Sequence, residues 1–267
     1  MMHGLISTLV KRLDDPELVD AGVIPWSSPV VSFGDVAAAR VATLGLNPSN
    51  REFVDSAGKE LDGPSRRFHT LGSLGLDTWR DAQPYHLSLI AESCRWYFAV
   101  NPYDTWFKRL DNLLADLNVS YYSTLFTACH LDLVPFATAE KWTALSRSQR
   151  LKLLDGTGDI LGALIRDSEI QVLILNGSSV VEHFERVTSI ELARTTVPEW
   201  TLRRDEGSGV KGMAYTGVVR AVGGTPLRRE VRVLGYNHNI QSSFGVTTRV
   251  MAAIRRWIAA AAPESIQ

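Results

Sequence analysis

Residues 40–49 read Arg-Val-Ala-Thr-Leu-Gly-Leu-Asn-Pro-Ser, an apolar run that stops at a glycine and then turns polar. Valine, alanine and leucine without strict alternation are typical of a strand buried on both faces, as in a parallel sheet. Because proline cannot continue such a strand, we predict a strand over residues 40–46 and a loop from Asn47 onward. Similar apolar runs predict three further strands, at residues 125–134, 171–175 and 230–235.

Helical patterns separate these strands. In residues 105–117 apolar side chains recur every three or four positions, which is the spacing of an amphipathic helix. Residues 148–166 and 247–261 are predicted helices as well, the first of them interrupted by two glycines. A less regular stretch, residues 213–222, resembles one arm of a hairpin and ends at a Gly-Gly pair.

Alternation of strands and helices predicts an α/β fold with a covered parallel sheet. We expect a three-layer α/β/α sandwich with a central, mostly parallel four-stranded sheet, formed by a single domain over residues 1–267. A long region punctuated by glycine and proline, residues 49–104, is inserted after the first strand. Insertions of that length usually carry function.

The composition excludes several classes of protein. Apolar residues make up 45 % of the chain and charged residues 21 %, and no run approaches the roughly 20 apolar residues of a membrane span. The short apolar patch at residues 5–10 meets Lys11 and Arg12 at once, which fits neither a signal peptide nor an anchor. Cys94 and Cys129 are too few for a disulfide framework or a four-thiolate metal site. We expect a cytoplasmic monomer with no metal, no cofactor and no membrane partner.

The net charge of −1 does not indicate a nucleic-acid partner, but the distribution of charge is uneven. Between residues 220 and 256 a single acid, Glu230, stands among seven arginines: Arg220, Arg228, Arg229, Arg232, Arg249, Arg255 and Arg256. Phosphate binding needs a local positive face rather than a basic protein, and Arg228 and Arg229 are the candidate DNA-binding pair. A solvated arginine-rich surface explains the same pattern equally well.

Polar residues follow the predicted strands at their carboxyl ends, where α/β folds place their active sites. Gly45 lets the backbone approach a ligand closely, and Pro48 stiffens the loop. Asn47 offers a neutral amide that orients a water molecule but is a poor base, which suits a reaction through a cationic sugar. Asn-Pro-Ser also fits a plain turn whose serine caps the next helix.

His238 follows the last predicted strand, inside the arginine-rich segment. A histidine there can stabilise the negative charge on a departing base, or it can make an ordinary structural hydrogen bond. Phe244 can insert into a base stack or pack in the core. Short polar side chains that suit phosphate binding surround His238: Asn237, Asn239, Gln241, Ser242 and Ser243.

These segments together resemble a known family. Gly45-Leu46-Asn47-Pro48-Ser49 is similar to the first motif of the uracil-DNA glycosylase superfamily, in the Asn-Pro form of its mismatch-specific and single-strand-selective branches. Asn237-His238-Asn239 lies where that superfamily carries its second motif, usually His-Pro-Ser. His130-Leu131-Asp132-Leu133-Val134-Pro135 resembles the base-reading strand between the two motifs. The order and spacing agree across roughly residues 24–260.

The resemblance implies a monofunctional DNA glycosylase that holds a flipped-out base and hydrolyses its bond to the sugar, leaving an abasic site. Asn47 would place the water, His238 would stabilise the leaving base, and Phe53 would stack on that base. The implied base-binding residues also include Gly45, Leu46, His130, Asp132, Asn237 and Asn239. The implied DNA contacts are Ser49, Ser242, Ser243 and Phe244. No lysine falls on a motif position, so an imine-forming step is not expected.

Asp132 departs from the family's uracil readers, which have Asn at this place. An amide can donate to uracil O4, whereas an ionised carboxylate only accepts hydrogen bonds and would repel that oxygen. Cytosine presents an amine donor there, so Asp132 favours cytosine or a modified cytosine, unless its side chain points elsewhere. His130 shares the same strand face and is expected in the same pocket.

Release of normal cytosine would destroy the host genome, so we expect a base absent from host DNA, such as hydroxymethylated or glucosylated cytosine in phage DNA. Residues of the 49–104 insertion would provide room for it: Arg66, Arg67, His69, Trp79, Tyr85, His86 and Trp96. Three alternatives stay open: ordinary repair of uracil, a DNA-binding module without activity, and a nucleotide-handling enzyme. The last lacks a glycine-rich phosphate loop.

Overall fold

The computed structural model describes residues 2–125, 127–202, 209–241 and 246–266, and within these ranges six strands form one mixed sheet. The strands are β1 Val41–Gly45, β2 Ala128–Asp132, β3 Val172–Asn176, β4 Ala193–Thr196, β5 Met213–Val222 and β6 Thr225–Tyr236. Their order across the sheet is β2-β1-β3-β6-β5-β4. Neighbours among β2, β1, β3 and β6 are parallel, and β5 and β4 add an antiparallel edge.

Helices connect the strands. They are α1 Met2–Arg12, α2 Pro16–Asp20, α3 Leu71–Leu74, α4 Pro84–Arg95, α5 Tyr97–Val100, α6 Asp104–Leu114, α7 Arg147–Asp155, α8 Gly158–Arg166, α9 Ser178–Thr188 and α10 Thr248–Ala261. Short 3-10 helices lie at Asn50–Glu52, Gly63–Ser65, Trp79–Asp81, Ala115–Leu117 and Pro198–Trp200.

The parallel part of the sheet confirms the four predicted strands, but the prediction that the sheet has only four was wrong. β5 pairs with β6 across a turn at Gly223 and Gly224, both of which have positive φ, so the hairpin-like stretch is a full strand. β4 was not predicted because its four residues, Ala-Arg-Thr-Thr, are all exposed and carry no apolar pattern. Burial, the signal that marks the other strands, is absent at this edge.

Helices cover both faces of the sheet. Leu175 and Gly235 are register partners, and the space above Gly235 is filled by Val181 of α9, so this face packs on α9. Thr43 and His130, also register partners, point to the opposite face, where Phe107 of α6 lies 5.5 Å from the His130 ring. α10 packs on α6 and β6. The architecture is therefore a three-layer α/β arrangement.

The predicted helices are present with small shifts at their ends. α6 continues as a 3-10 turn to Leu117, and α10 begins after Thr247, whose hydroxyl accepts a hydrogen bond from Val250 N at 3.2 Å. The chain between 148 and 166 forms two helices, α7 and α8, which are separated at Gly156 and Thr157. Among the described helices none is long and apolar enough to cross a membrane.

Candidate functional site

A cavity of about 470 Å³ opens at the carboxyl ends of the parallel strands. Its walls come from the loop after β1, the end of β2, α6, and the segments that follow β3 and β6. The residues that line it are Phe33, Gly45, Leu46, Asn47, Pro48, Ser49, Arg51, Glu52, Tyr103, Trp106, Phe107, His130, Asp132, Lys141, Trp142, Asn176, Val180 and Asn239. Seven of the predicted site residues belong to this set: Gly45, Leu46, Asn47, Ser49, His130, Asp132 and Asn239.

Asn47 is held in one orientation by its amide nitrogen. Nδ2 donates to Thr138 Oγ1 at 2.9 Å and to the Pro48 carbonyl at 3.1 Å. Thr138 in turn donates its hydroxyl proton to the Glu140 carbonyl at 2.7 Å, so its oxygen can only accept from Asn47. A flipped amide would set Oδ1 against these acceptors. Oδ1, which has no hydrogen bond to the described part of the chain, is therefore available to orient a water molecule.

His130 and Asp132 form one wall of the cavity because they are two residues apart on β2 and share a face. Both side chains are shielded, with exposed fractions of 1 % and 4 %, and His130 Nε2 lies 3.3 Å from Asp132 Oδ1. Gly45 is the register partner of Asp132, and a Cβ at Gly45 would collide with Asp132 Oδ1 and lie 2.9 Å from His130 Nε2. Because Gly45 has no side chain, His130 and Asp132 fit at this position of the wall.

A buried chain of polar groups fixes the imidazole from behind. Thr43 Oγ1 lies 2.7 Å from His130 Nδ1 and 2.6 Å from the Tyr121 hydroxyl. Burial holds the pKa of Tyr121 well above its usual range, so this phenol keeps its proton. On the cavity side, His130 Nε2 lies 3.3 Å from Asp132 Oδ1. Asp132 Oδ2 has no hydrogen bond to the described residues, so this carboxylate oxygen is available as an acceptor at the cavity.

Glu52 is a second carboxyl in the cavity wall, and it is only 3 % exposed. The Tyr97 hydroxyl accepts from Tyr103 N at 2.9 Å and donates its single proton to Glu52 Oε2 at 2.8 Å. Burial raises the pKa of Glu52 to about 7 and the charge of Asp132 adds to this, while Tyr97 and Arg67 act in the opposite direction. Glu52 therefore exchanges its proton near neutral pH.

Arg67 stands behind Glu52 rather than in a direct hydrogen bond with it, because its Nε is 3.9 Å from Glu52 Oε2. Its guanidinium donates to the carbonyl groups of Asn101 at 3.0 Å and Arg51 at 2.7 Å, and it stacks 5.3 Å from the centre of the Tyr103 ring. Two of its five N–H groups, one of them Nε, are thereby bonded to the backbone. The carboxyl of Glu52 is consequently only partly compensated by positive charge.

An aromatic cluster joins the two carboxyl groups to one wall. The Phe33 ring lies 4.9 Å from Tyr97, the partner of Glu52, and 5.4 Å from His130, the partner of Asp132. Phe107 bridges the same two rings, at 5.3 Å and 5.5 Å. Glu52 and Asp132 therefore line the same cavity, each next to a ring that packs on Phe33 and Phe107.

His238 is placed differently from the prediction. It is 2 % exposed, its Nε2 donates to the Trp200 carbonyl at 2.7 Å, and it is not one of the described residues that line the cavity. Burial lowers the pKa of His238, and the bond to Trp200 partly restores it. A ring nitrogen committed to a backbone carbonyl cannot also donate to a leaving base, so the structural alternative describes this histidine better.

Phe53 was also placed wrongly as a stacking residue. It is 1 % exposed and packs 5.8 Å from Phe68 and 6.3 Å from Trp26, while its neighbour Glu52 lines the cavity. Ser49 accepts from Arg51 N at 3.2 Å and caps the 3-10 helix Asn50–Glu52, as the turn interpretation of Asn-Pro-Ser predicts. The turn swings Glu52 inward.

The two asparagines that flank His238 do not lie in the same site. Asn239 lines the cavity, but Asn237 accepts from Met213 N at 2.9 Å and donates to the Lys211 carbonyl at 2.8 Å, which ties it to the start of β5. Ser242, Ser243 and Phe244 lie outside the described residues. Their proposed contacts with DNA stay predictions.

Arg228 and Arg229 are not among the described residues that line the cavity, contrary to the expectation for them. Both stand near the start of β6, about 23 Å along the strand from its carboxyl end at Tyr236. Arg228 pairs with Asp167 at 2.8 Å, and Arg229 pairs with Glu169 at 2.9 Å. The cationic residues at the cavity are instead Arg51 and Lys141, both exposed.

Several cavity residues were not predicted as site residues, and the signals for them differ. Asn176 is the last residue of β3 and so lies at the carboxyl end of the sheet; its side chain accepts from the Tyr236 hydroxyl and donates to Gln241. Trp106 was assigned to the apolar face of α6, where it lies 5.0 Å from His130. Glu52, Lys141 and Trp142 carry no pattern that separates them from surface or core residues. The insertion residues expected to enlarge the pocket, from Arg66 to Trp96, do not appear among its described lining.

The described ranges contain no group of three or more His, Cys, Asp or Glu side chains arranged to hold a metal ion. Comparison of the sequence with models of protein families and with curated proteins finds no match.

Proposed function

We propose that the protein is a monofunctional DNA glycosylase of the uracil-DNA glycosylase superfamily that removes a modified cytosine from DNA. The observation that supports it is the pairing, in one cavity, of an Asn47 amide oxygen free to hold water with an Asp132 oxygen free to accept. Hydrolysis of a glycosidic bond through a cationic sugar needs a placed water and recognition of the base. The residues around the cavity offer both.

The preference for cytosine follows from the acceptor at Asp132. Oδ2 suits the exocyclic amine of cytosine and disfavours the O4 oxygen of uracil. A volume of about 470 Å³ is within the range of pockets that hold drug-sized ligands, so a base with a bulky 5-substituent has room. A base of this kind that is absent from host DNA, such as hydroxymethylated or glucosylated cytosine in phage DNA, makes anti-phage defence the proposed role.

DNA binding at the cavity rim is expected to use Lys141 rather than the arginine-rich segment. Replacing Lys141 with alanine should weaken binding of an abasic-site oligonucleotide about fivefold and reduce the slope of log K against log salt by about 1. Arg229→Ala, the matched control at the far end of β6, should leave the slope unchanged. Fluorescence anisotropy over a salt series measures the affinity and the salt slope of each variant. A reduced slope in Arg229→Ala with an unchanged slope in Lys141→Ala would instead place the DNA contact at the arginine-rich segment.

The proposed reaction is tested by base release. Purified protein is incubated with oligonucleotides carrying uracil, cytosine, 5-hydroxymethylcytosine or its glucosylated form, and abasic sites are scored by alkali cleavage. We expect release of a modified cytosine, with Asn47→Ala slowing it about 100-fold because the water loses its acceptor. Strand cleavage without alkali would instead indicate a lyase step at Lys141.

Other outcomes select the alternatives. Release of uracil alone would be consistent with the proposed uracil-DNA glycosylase superfamily but would overturn the preference for cytosine. A protein that binds DNA but releases no base would be a module without activity, which is the outcome that the sequestered His238 favours.

A further inference from the structure

Two hydrogen-bonding atoms of opposite character face the cavity from its floor. Oε2 of Glu52 accepts the Tyr97 proton, so a proton carried by the Glu52 carboxyl resides on Oε1, which has no hydrogen bond to the described residues. Oδ2 of Asp132 is an acceptor, because Oδ1 is the oxygen in contact with His130. The lining of the cavity therefore includes one acid donor and one acceptor, near enough for the charge of Asp132 to raise the pKa of Glu52.

The chemical character of this donor and acceptor is complementary to the Watson–Crick edge of cytosine, which offers an amine donor next to the N3 acceptor. Uracil presents the opposite pattern, an oxygen acceptor beside an N3–H donor. The leaving base also needs stabilisation of its negative charge, and the histidine expected to provide it is bonded to the Trp200 carbonyl. Glu52 is the described cavity residue whose acid proton suits this role.

We infer that Glu52 is a catalytic residue that donates the Oε1 proton to N3 of the flipped cytosine as the glycosidic bond breaks; this rests on the proposed function. The Glu52 O–H bond breaks as N3 takes the proton, and the C1′–N1 electron pair moves to N1. The base leaves as a neutral tautomer. Water held at Asn47 adds to C1′, and the proton it loses restores the Glu52 carboxyl.

The charged and titratable groups around Glu52 set the pH range of this step. They are Tyr97 from α5, Arg67 from the segment before α3, Asp132 and His130 from β2, and Arg51 and Lys141 from the cavity rim. With the pKa of Glu52 near 7, kcat/KM should fall about tenfold per pH unit above neutrality as the acid loses its proton.

The test compares wild type with Glu52→Gln on an oligonucleotide that the wild type processes. Gln keeps a donor but has no proton to transfer, so kcat should fall about 100-fold at pH 6 and the falling limb above pH 7 should disappear. Tyr97→Phe removes a hydrogen-bond donor that favours the ionised Glu52 carboxylate. In this variant the fall of kcat/KM should therefore move to higher pH. Glu60→Gln, an exposed residue of the same loop region, should behave as wild type.

A stability measurement tests the protonated carboxyl without relying on activity. A carboxyl whose pKa is raised on folding stabilises the protein below its unfolded pKa and loses that contribution as pH rises through 7. Relative to Glu52→Gln, wild type should therefore lose urea resistance between pH 5 and pH 8. An unchanged rate and pH limb in Glu52→Gln would overturn the inference while the proposed function stands. No base release by wild type would overturn both.

Discussion

Replacing Asp132 with asparagine is expected to exchange the base that the protein releases. Release of the modified cytosine should fall about 1,000-fold, since a site that matches a polar group rejects the mismatched one strongly. Uracil release should appear in its place. The asparagine oxygen takes the position of Oδ1 beside His130 Nε2, which turns the amide nitrogen, a donor, toward the cavity where Oδ2 was an acceptor.

The pH profiles sharpen this prediction. Uracil carries a proton on N3, so Glu52 must be ionised to accept it, and uracil release by Asp132→Asn should rise with pH. The midpoint of this rise should lie below that of the wild-type limb, because the charge of Asp132 no longer raises the pKa of Glu52. Wild-type release of cytosine should fall as pH rises through 7. Asp167→Asn is the matched control, since Asp167 is also a shielded carboxylate but pairs with Arg166 and Arg228 at the far end of the sheet. An Asp132→Asn protein that keeps the wild-type base preference would show that Asp132 does not read the base.

The parallel strands could be predicted because each is buried on both faces, so that a run such as Val41–Gly45 is apolar without interruption. β4 could not be predicted in the same way, because its four residues are exposed and only their backbone belongs to the sheet. The length of β6 was underestimated for the same reason. Its first half alternates between exposed and half-buried residues, and apolar content alone does not mark such a segment.

The candidate site was predictable where a side chain follows directly from a strand. His130 and Asp132 reach the cavity because strand register and period fix their direction, and Asn47 reaches it because it lies two residues beyond the end of β1. Residues on irregular loops were less predictable. Whether Glu52 or Phe53 faces the cavity depends on one turn of 3-10 helix after Ser49, and the shift of a single residue exchanges a stacking ring for a buried acid. His238 was misplaced because its partner, the Trp200 carbonyl, is 38 residues away and is a backbone atom.

The contacts of Glu52 and Asp132 explain how these two carboxyl groups can share one cavity. One oxygen of Glu52 accepts from the Tyr97 hydroxyl, and one oxygen of Asp132 lies 3.3 Å from His130 Nε2. Two ionised carboxylates on an apolar floor would repel each other, and the raised pKa of Glu52 reduces this cost by letting one of them keep a proton. Under the proposed function, the distribution of that proton would decide which edge of a pyrimidine is accepted.

The same wall makes Gly45 sensitive to substitution. Gly45→Ala places a methyl group against Asp132 Oδ1 and 2.9 Å from His130 Nε2, so both side chains must move. Displacing the base-reading group by about 1 Å costs about 100-fold, and with two groups displaced we expect base release to fall about 1,000-fold. Because side chains rather than backbone absorb the methyl, the loss of unfolding free energy should stay within about 1–3 kcal/mol.

Gly162→Ala separates loss of the site from loss of stability. A Cβ at Gly162 on α8 would collide with the backbone carbonyl of Val222, away from the cavity, so this variant should be less stable yet release base normally at low temperature. Nitrogen NMR of the His130 ring provides a readout independent of activity. The ring signals should shift in Gly45→Ala and stay unchanged in Gly162→Ala. If Gly45→Ala releases base normally and its His130 signals do not shift, the cavity tolerates a side chain at Gly45. The absence of a side chain at Gly45 would then not be what positions Asp132.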